Sequence, residues 1–270
     1  MSKQFKDFNK EAKDLIGKNF PAAGSWKVEA KEKAADKTVT VSTVAEANAK
    51  GASISADVDY NMKEFSLDTK TTFTHDGKIK PKVTYKPAKG HKVEASLKAL
   101  SADADFDIVY EGDLSGALVT DKINKKSAEV QVAYPVLANL SVGASATYAF
   151  SKGLAGWSAG ARFTQNGIVG SVVTKDLKTY TTGVFFPVKL SCCTVKTAVQ
   201  TDCGNGKCDI VAAAEAPLSC INVPLTARVK VTKDMAWAVS ALAKLANGWT
   251  AIVSVQSKDC CKVGVQLTRE

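Results

Sequence analysis

The sequence predicts an all-β fold, a transmembrane β-barrel of about nineteen strands preceded by one short helix, and three observations point there. From Trp26 onward the apolar residues recur with period two: Ala52, Ile54, Ala56, Val58 and Tyr60 alternate with Ser53, Ser55, Asp57 and Asp59. The remaining length, roughly 245 residues, divides into units of roughly 13, a strand of about ten plus its turn, which is the unit of a membrane barrel. Such a strand, rising about 3.3 Å per residue and tilted near 45°, projects to roughly 23 Å, close to the apolar band of a bilayer. The apolar faces are also lean, rich in Ala, Val and Thr. Two sheets of a soluble sandwich would bury bulkier faces against each other, whereas small outward residues suffice against lipid.

Taken in order, residues 3–20 place Phe5, Phe8, Ala12, Leu15 and Ile16 at helical spacing, with Lys and acidic residues filling the other positions. The helix is expected to end at Phe20, because the position before Pro21 disfavours helix and Gly24 breaks any continuation beyond it. The chain therefore divides into a helix with its linker, 1–25, and a barrel, 26–270. Alternation recurs at 65–73, 93–99, 102–110, 140–150, 157–163, 180–186 and 249–255. Between these runs lie short turn signals such as Asp76-Gly77, Lys89-Gly90, Asn166-Gly167, Asn205-Gly206 and Lys258-Asp259, so the connections read as hairpins.

Composition narrows the function. The longest nearly continuous apolar run, Met235 to Ala243, is far short of the roughly 18 to 20 residues of a spanning helix. The first twenty residues lack the apolar region and cleavage site of a secretory signal. Net charge is +9, with 36 basic residues of which only Arg162, Arg228 and Arg269 are arginine. That balance favours an anionic partner or solute, but base readout favours Arg and no recognition motif is present, so nucleic-acid recognition is not expected.

No cofactor and no catalytic residue is expected. His75 and His91 have no second ligand or triad partner at suitable spacing and read as solvated loop histidines. Seven cysteines, all beyond residue 190, make an odd, clustered count rather than a disulfide framework. Cys203 and Cys208 hint at zinc but have the wrong inner spacing, so no metal site is assigned. Cys192-Cys193 and Cys260-Cys261 are expected to place neighbouring thiols on opposite faces of a strand.

Charge on the inward face is the informative constellation. Residues 75–98 hold Lys78, Lys80, Lys82, Lys86, Lys89, Lys92 and Lys98 against Asp76 and Glu94. All but Lys89 occupy even positions, opposite Ile79, Val83, Tyr85, Val93, Ala95 and Leu97, and are expected to line one patch of lumen. The next stretch reverses sign with Asp103, Asp105 and Asp107. A patch of lysines raises the local concentration of anions without a fitted binding site.

The stretch Phe5-Lys6-Asp7-Phe8-Asn9-Lys10-Glu11-Ala12-Lys13-Asp14-Leu15-Ile16-Gly17-Lys18-Asn19-Phe20, followed by Trp26 to Lys31, resembles the start of the mitochondrial porins, the voltage-dependent anion channels. Leu154-Ala155-Gly156-Trp157 and the terminal Lys262-Val263-Gly264-Val265-Gln266-Leu267 are similar to segments of the same family. The resemblance implies nineteen strands, the helix inside the pore against its wall, Lys10 and Lys18 at basic positions of the family helix, and a place in the mitochondrial outer membrane. It also implies passage of ATP, ADP, phosphate and other small anions, with membrane lipid as the surroundings and a homo-oligomer as a possible assembly. An odd strand count requires Trp26–Lys31 and Cys261–Leu267 to close the barrel in parallel. Three positions depart from the family pattern: the glycine-rich hinge is Pro21-Ala22-Ala23-Gly24, a lipid-facing Glu is replaced by Thr71, and Gly153-Leu154-Ala155 lacks the lysine linked to nucleotide contact.

These readings converge on a voltage-gated, weakly anion-selective pore. Two others compete: the pore subunit of the outer-membrane protein import translocase, expected to carry a longer segment before its first strand, and a soluble all-β binding protein with a basic face.

Overall fold

The computed structural model describes residues 3–36, 38–101, 103–218, 224–257 and 262–269. One 19-stranded sheet runs through them. The strands are β1 (Trp26–Lys33), β2 (Val39–Asn48), β3 (Gly51–Met62), β4 (Leu67–Thr74), β5 (Ile79–Tyr85), β6 (Lys92–Leu97), β7 (Phe106–Leu114), β8 (Ala117–Asn124), β9 (Ser127–Leu137) and β10 (Leu140–Ala149). They continue as β11 (Gly153–Gln165), β12 (Ile168–Lys175), β13 (Thr179–Lys189), β14 (Thr194–Gly204), β15 (Lys207–Leu218), β16 (Leu225–Thr232), β17 (Trp237–Lys244), β18 (Trp249–Gln256) and β19 (Lys262–Arg269). Strands adjacent in sequence are adjacent in the sheet, and β1 pairs with both β2 and β19, so the hydrogen-bonded order closes on itself as a barrel. At the seam the Gly24 N–H donates to the Val263 carbonyl and the Val265 N–H to that of Ser25. Both chains advance in the same sense there, which is the parallel closure an odd count demands. Cys261 lies outside the described residues.

Two-residue turns make several of the hairpins. Ser115-Gly116, Asn166-Gly167 and Asn205-Gly206 all have positive φ at both positions. This is the type I′ pattern whose twist matches the flanking strands, and Gly or Asn adopts it at least cost. The alternation breaks between β6 and β7: β6 stops at Leu97 and β7 starts at Phe106, so Lys98, Asp103 and Asp105 lie in the connection rather than on strands. The helix is also shorter than its spacing predicts. A 3-10 turn covers Phe5–Asp7 and α1 covers Lys10–Gly17. Asn19 adopts φ 62, the left-handed conformation that ends a helix, one residue beyond the cap at Lys18.

The chain forms two compact units. One holds Met1–Phe5, Ala30–Ala45 and Ser53–Ala159; the other holds Lys6–Glu29, Glu46–Ala52 and Gly160–Glu270. In the first, register places Val93, Ile108, Ile123 and Val130 on one face and Lys82, Glu94, Glu111 and Lys122 on the other. In the second, Val184, Val199, Ala212 and Val229 share a face opposite to that of Gly183, Ala198, Ala213 and Lys230. In both, the apolar face is the solvent-exposed one: Ile54, Ile108, Ile123, Val130, Tyr134, Tyr148, Val184, Val229 and Val239 are each at least 40% exposed. A water-soluble fold buries such residues, whereas a sheet that turns them outward needs an apolar surrounding.

Candidate functional site

The polar inner face of the second unit carries the N-terminal segment. Ala12, Leu15 and Ile16 of α1 pack on Ala198 and Ala213 of β14 and β15 and on Phe185 of β13. Phe8, just before the helix, is fully buried. Small residues on the wall make room for this seat: a Cβ on Gly183 would fall onto the Asn9 side chain, and one on Gly264 onto the Pro21 and Ala22 carbonyls. Asn9 precedes the first helical residue without capping it, because its side chain is spent on the wall, donating to Gln200 Oε1 at 3.0 Å and accepting from Ser171 Oγ at 3.3 Å.

Two of the three arginines hold the ends of this segment. Arg162 of β11, only 6% exposed, donates from both terminal nitrogens to the Glu11 carboxylate at 2.6 and 2.8 Å, and Nη1 also reaches the Phe8 carbonyl at 2.8 Å. Arg228 of β16 donates to the Lys18 carbonyl at 2.9 Å and pairs through its other terminal nitrogen with Glu215 of β15. Beyond the helix, Ser254 Oγ and Gln256 Nε2 both donate to the Pro21 carbonyl. A planar five-donor guanidinium suits such fixed, multiply bonded positions where a lysine would be a mobile point charge. The sequence reading overlooked Arg162, Arg228 and Glu215. The only sequence signal of the two arginines is their rarity against 33 lysines, and Glu215 carries none.

The basic stretch of the first unit faces inward at Lys80, Lys82 and Lys92, but Lys78, Lys86 and Lys98 fall just outside β5 and β6. Nearly all of these lysines meet a carboxylate. Lys78 pairs with Asp76 at 2.5 Å, Lys82 with Glu94 at 2.8 Å, Lys86 with Asp68 at 2.7 Å and Lys98 with Asp105 at 3.5 Å. Lys92 reaches Glu111 at 2.9 Å and Glu94 at 3.7 Å. Lys80 is exposed and has no ion pair among the described residues. On the adjoining strands Lys70 lies 2.6 Å from Asp57 and Lys122 lies 3.3 Å from Asp107. The wall is thus a lattice of alternating charge rather than a positive patch. On the helix, exposed Lys10 and Lys18 pair with Asp7 at 3.5 Å and Asp14 at 2.8 Å. In the β4–β5 turn, Lys78 and the Thr74 hydroxyl hold the Asp76 carboxyl far below the usual carboxylate range.

The histidines and cysteines depart from expectation in detail. His75 is an exposed turn residue, while His91 Nδ1 shares a hydrogen bond with the Tyr110 hydroxyl at 2.8 Å. Cys203 and Cys208 face each other across the β14–β15 hairpin as a disulfide, which replaces the zinc hint. Cys192 and Cys193 sit in the loop before β14 rather than on strand faces, with sulfurs 3.8 Å apart, and this contact together with desolvation pushes the Cys193 thiol up. Cys260 lies outside the described residues.

A helix seated on the charged inner face of a closed sheet, with the apolar face outward, is the arrangement of a pore. No curated protein matches the chain. The model of the eukaryotic porin family matches residues 3–186, which include the N-terminal helix, its linker and twelve strands in full. The chain therefore belongs to the eukaryotic porins, a family of membrane diffusion pores.

Proposed function

We propose that this porin is a voltage-gated, weakly anion-selective pore of the mitochondrial outer membrane, passing small ions and metabolites such as ATP, ADP and phosphate. The observation that carries the reading is the seat of the N-terminal segment: a charged helix, fixed at both ends by arginines, occupies part of the inner face and narrows the water path. A lumen lined by mobile, hydrated lysines admits anions of different size and shape, because selection by field needs no fitted contact. The charge lattice of the first unit weakens that field, which suits weak selectivity. Conductance across a planar bilayer under a salt gradient tests the proposal. The expected result is large ohmic steps at low voltage, partial closure at higher voltage of either sign, and a reversal potential on the anion side. A pore that opens only with a bound protein-import receptor would reject it.

A further inference from the structure

Among the described residues, the inner wall formed by β14, β15 and β16 carries an excess of positive charge. Register sets Lys196, Glu215 and Arg228 side by side across these strands, and Arg228 next to Ser240 of β17. Lys230 stands two residues further along β16, opposite Ala213 and Ala238. Glu215 serves both of its neighbours, at 2.8 Å from Lys196 and in direct contact with Arg228. Lys230 has no carboxylate partner among the described residues. Its ammonium instead lies 4.4 Å from the centre of the Phe20 ring, and an aromatic face holds a cation without cancelling its charge. Three cations therefore meet one carboxylate. The other charges of these faces, Asp202, Asp209 and Lys207, lie at the far hairpin end of β14 and β15, where the two aspartates sit opposite each other.

A second observation points the same way. Arg228 Nε and Ser240 Oγ are shielded from solvent and have no hydrogen-bond partner among the described residues. Ser240 is 2% exposed. Neither atom meets water, so the shielded Arg228 N–H adds its positive field to the wall rather than a contact for a guest, and a field of that sign favours an anion over a cation.

We infer that Lys230, with Arg228 and Lys196 around Glu215, is the anion station of the pore, the place where small anions from chloride to phosphate dwell and where selectivity arises. The inference rests on the pore reading above and names the residues that would give it charge preference. In the first unit, by contrast, an anion beside Lys82 or Lys92 also meets Glu94 and Glu111, and the fields largely cancel within a Debye length of about 10 Å at 0.1 M salt.

The test is the reversal potential of single channels under a potassium chloride gradient, with added inorganic phosphate as a second probe. Lys230→Gln is expected to lower the chloride to potassium permeability ratio roughly twofold at low salt, and by less at high salt where screening is stronger. It should also weaken the slowing of chloride current by phosphate. Lys230→Arg should keep both, which shows that the barrel is intact. The charge-neutral double variant Lys82→Gln/Glu94→Gln should leave the ratio as it was. An anion-selective wild type whose ratio survives Lys230→Gln, or moves as much in the double variant, overturns the station. A wild type with no anion preference removes the anion-selective reading on which the station rests.

Discussion

Arg162 shows how much of the site depends on single residues far apart in sequence. A buried guanidinium with a bidentate carboxylate and a backbone carbonyl leaves no partner free, so removing either side strands a charge. Arg162→Ala is expected to loosen the helix from the wall at a cost of about 3–5 kcal/mol to docking, and Arg162→Lys to recover only part, since one ammonium cannot span both carboxylate oxygens. Limited proteolysis in lipid reads the outcome: cleavage within residues 1–20 should accelerate while the strands stay protected. A second residue-scale expectation concerns acid. Asp76 keeps its charge below the usual range, so the Thr74–Asp76–Lys78 clamp adds stability above the unfolded value near 4 and loses it only as pH falls through the lower folded value. Carboxyl titration by NMR should find Asp76 ionised after other exposed aspartates have protonated, and Lys78→Ala should bring its midpoint back up. Residue parity was legible in the sequence: Lys80, Lys82 and Lys92 share one face of the sheet, opposite that of Val83 and Val93. Their neutralisation was not, because Lys92 meets Glu111 only after β6 and β7 have paired, and charge counted along a window cannot see the strand beside it.

Among the elements, the N-terminal segment and the strands answer to different forces. The strands depend on ladder hydrogen bonds with their neighbours, whereas α1 makes no ladder bonds and sits on the wall through side chains. Deleting residues 1–20 should therefore leave the β circular-dichroism signal in place and raise conductance by widening the water path. Collapse of that signal would mean that the segment is a structural brace. Sequence periodicity located the strands because one face meets water and the other an apolar surrounding, a contrast that repeats every second residue. It failed after Leu97, where the sequence keeps alternating though residues 98–101 and 103–105 have left the sheet. Helical spacing likewise ran past both ends of α1. Asn9 stays outside the helix because its side chain binds Gln200 and Ser171, and those partners lie more than 160 residues away.

At the scale of the whole molecule, the number of strands follows from length divided by the rise and tilt of a bilayer-spanning strand, and the odd count then fixes the parallel seam. The arginine anchors do not follow from such arithmetic, since only closure of the sheet brings β11 and β16 to the same short segment. Closure also arranges the aromatic residues. Trp237 and Trp249 stand at the first positions of β17 and β18, and Trp26 at that of β1, all on or beside the apolar outer face. Trp26 and Trp237 are 46% and 40% exposed. An indole has an apolar body and one N–H donor, so it settles where hydrocarbon gives way to headgroups, and strand ends are that depth in a spanning barrel. Tryptophan fluorescence in vesicles should thus be quenched more strongly by lipids labelled near the headgroup than by lipids labelled at the chain terminus. Single-Trp variants keeping Trp26, Trp237 or Trp249 should each show that order. Trp157, five residues into β11, should shift the balance toward the deeper label. Equal quenching at all depths, or quenching by a water-soluble agent alone, would mean that the exposed apolar face does not meet lipid and that the outward assignment of every strand has to be reversed.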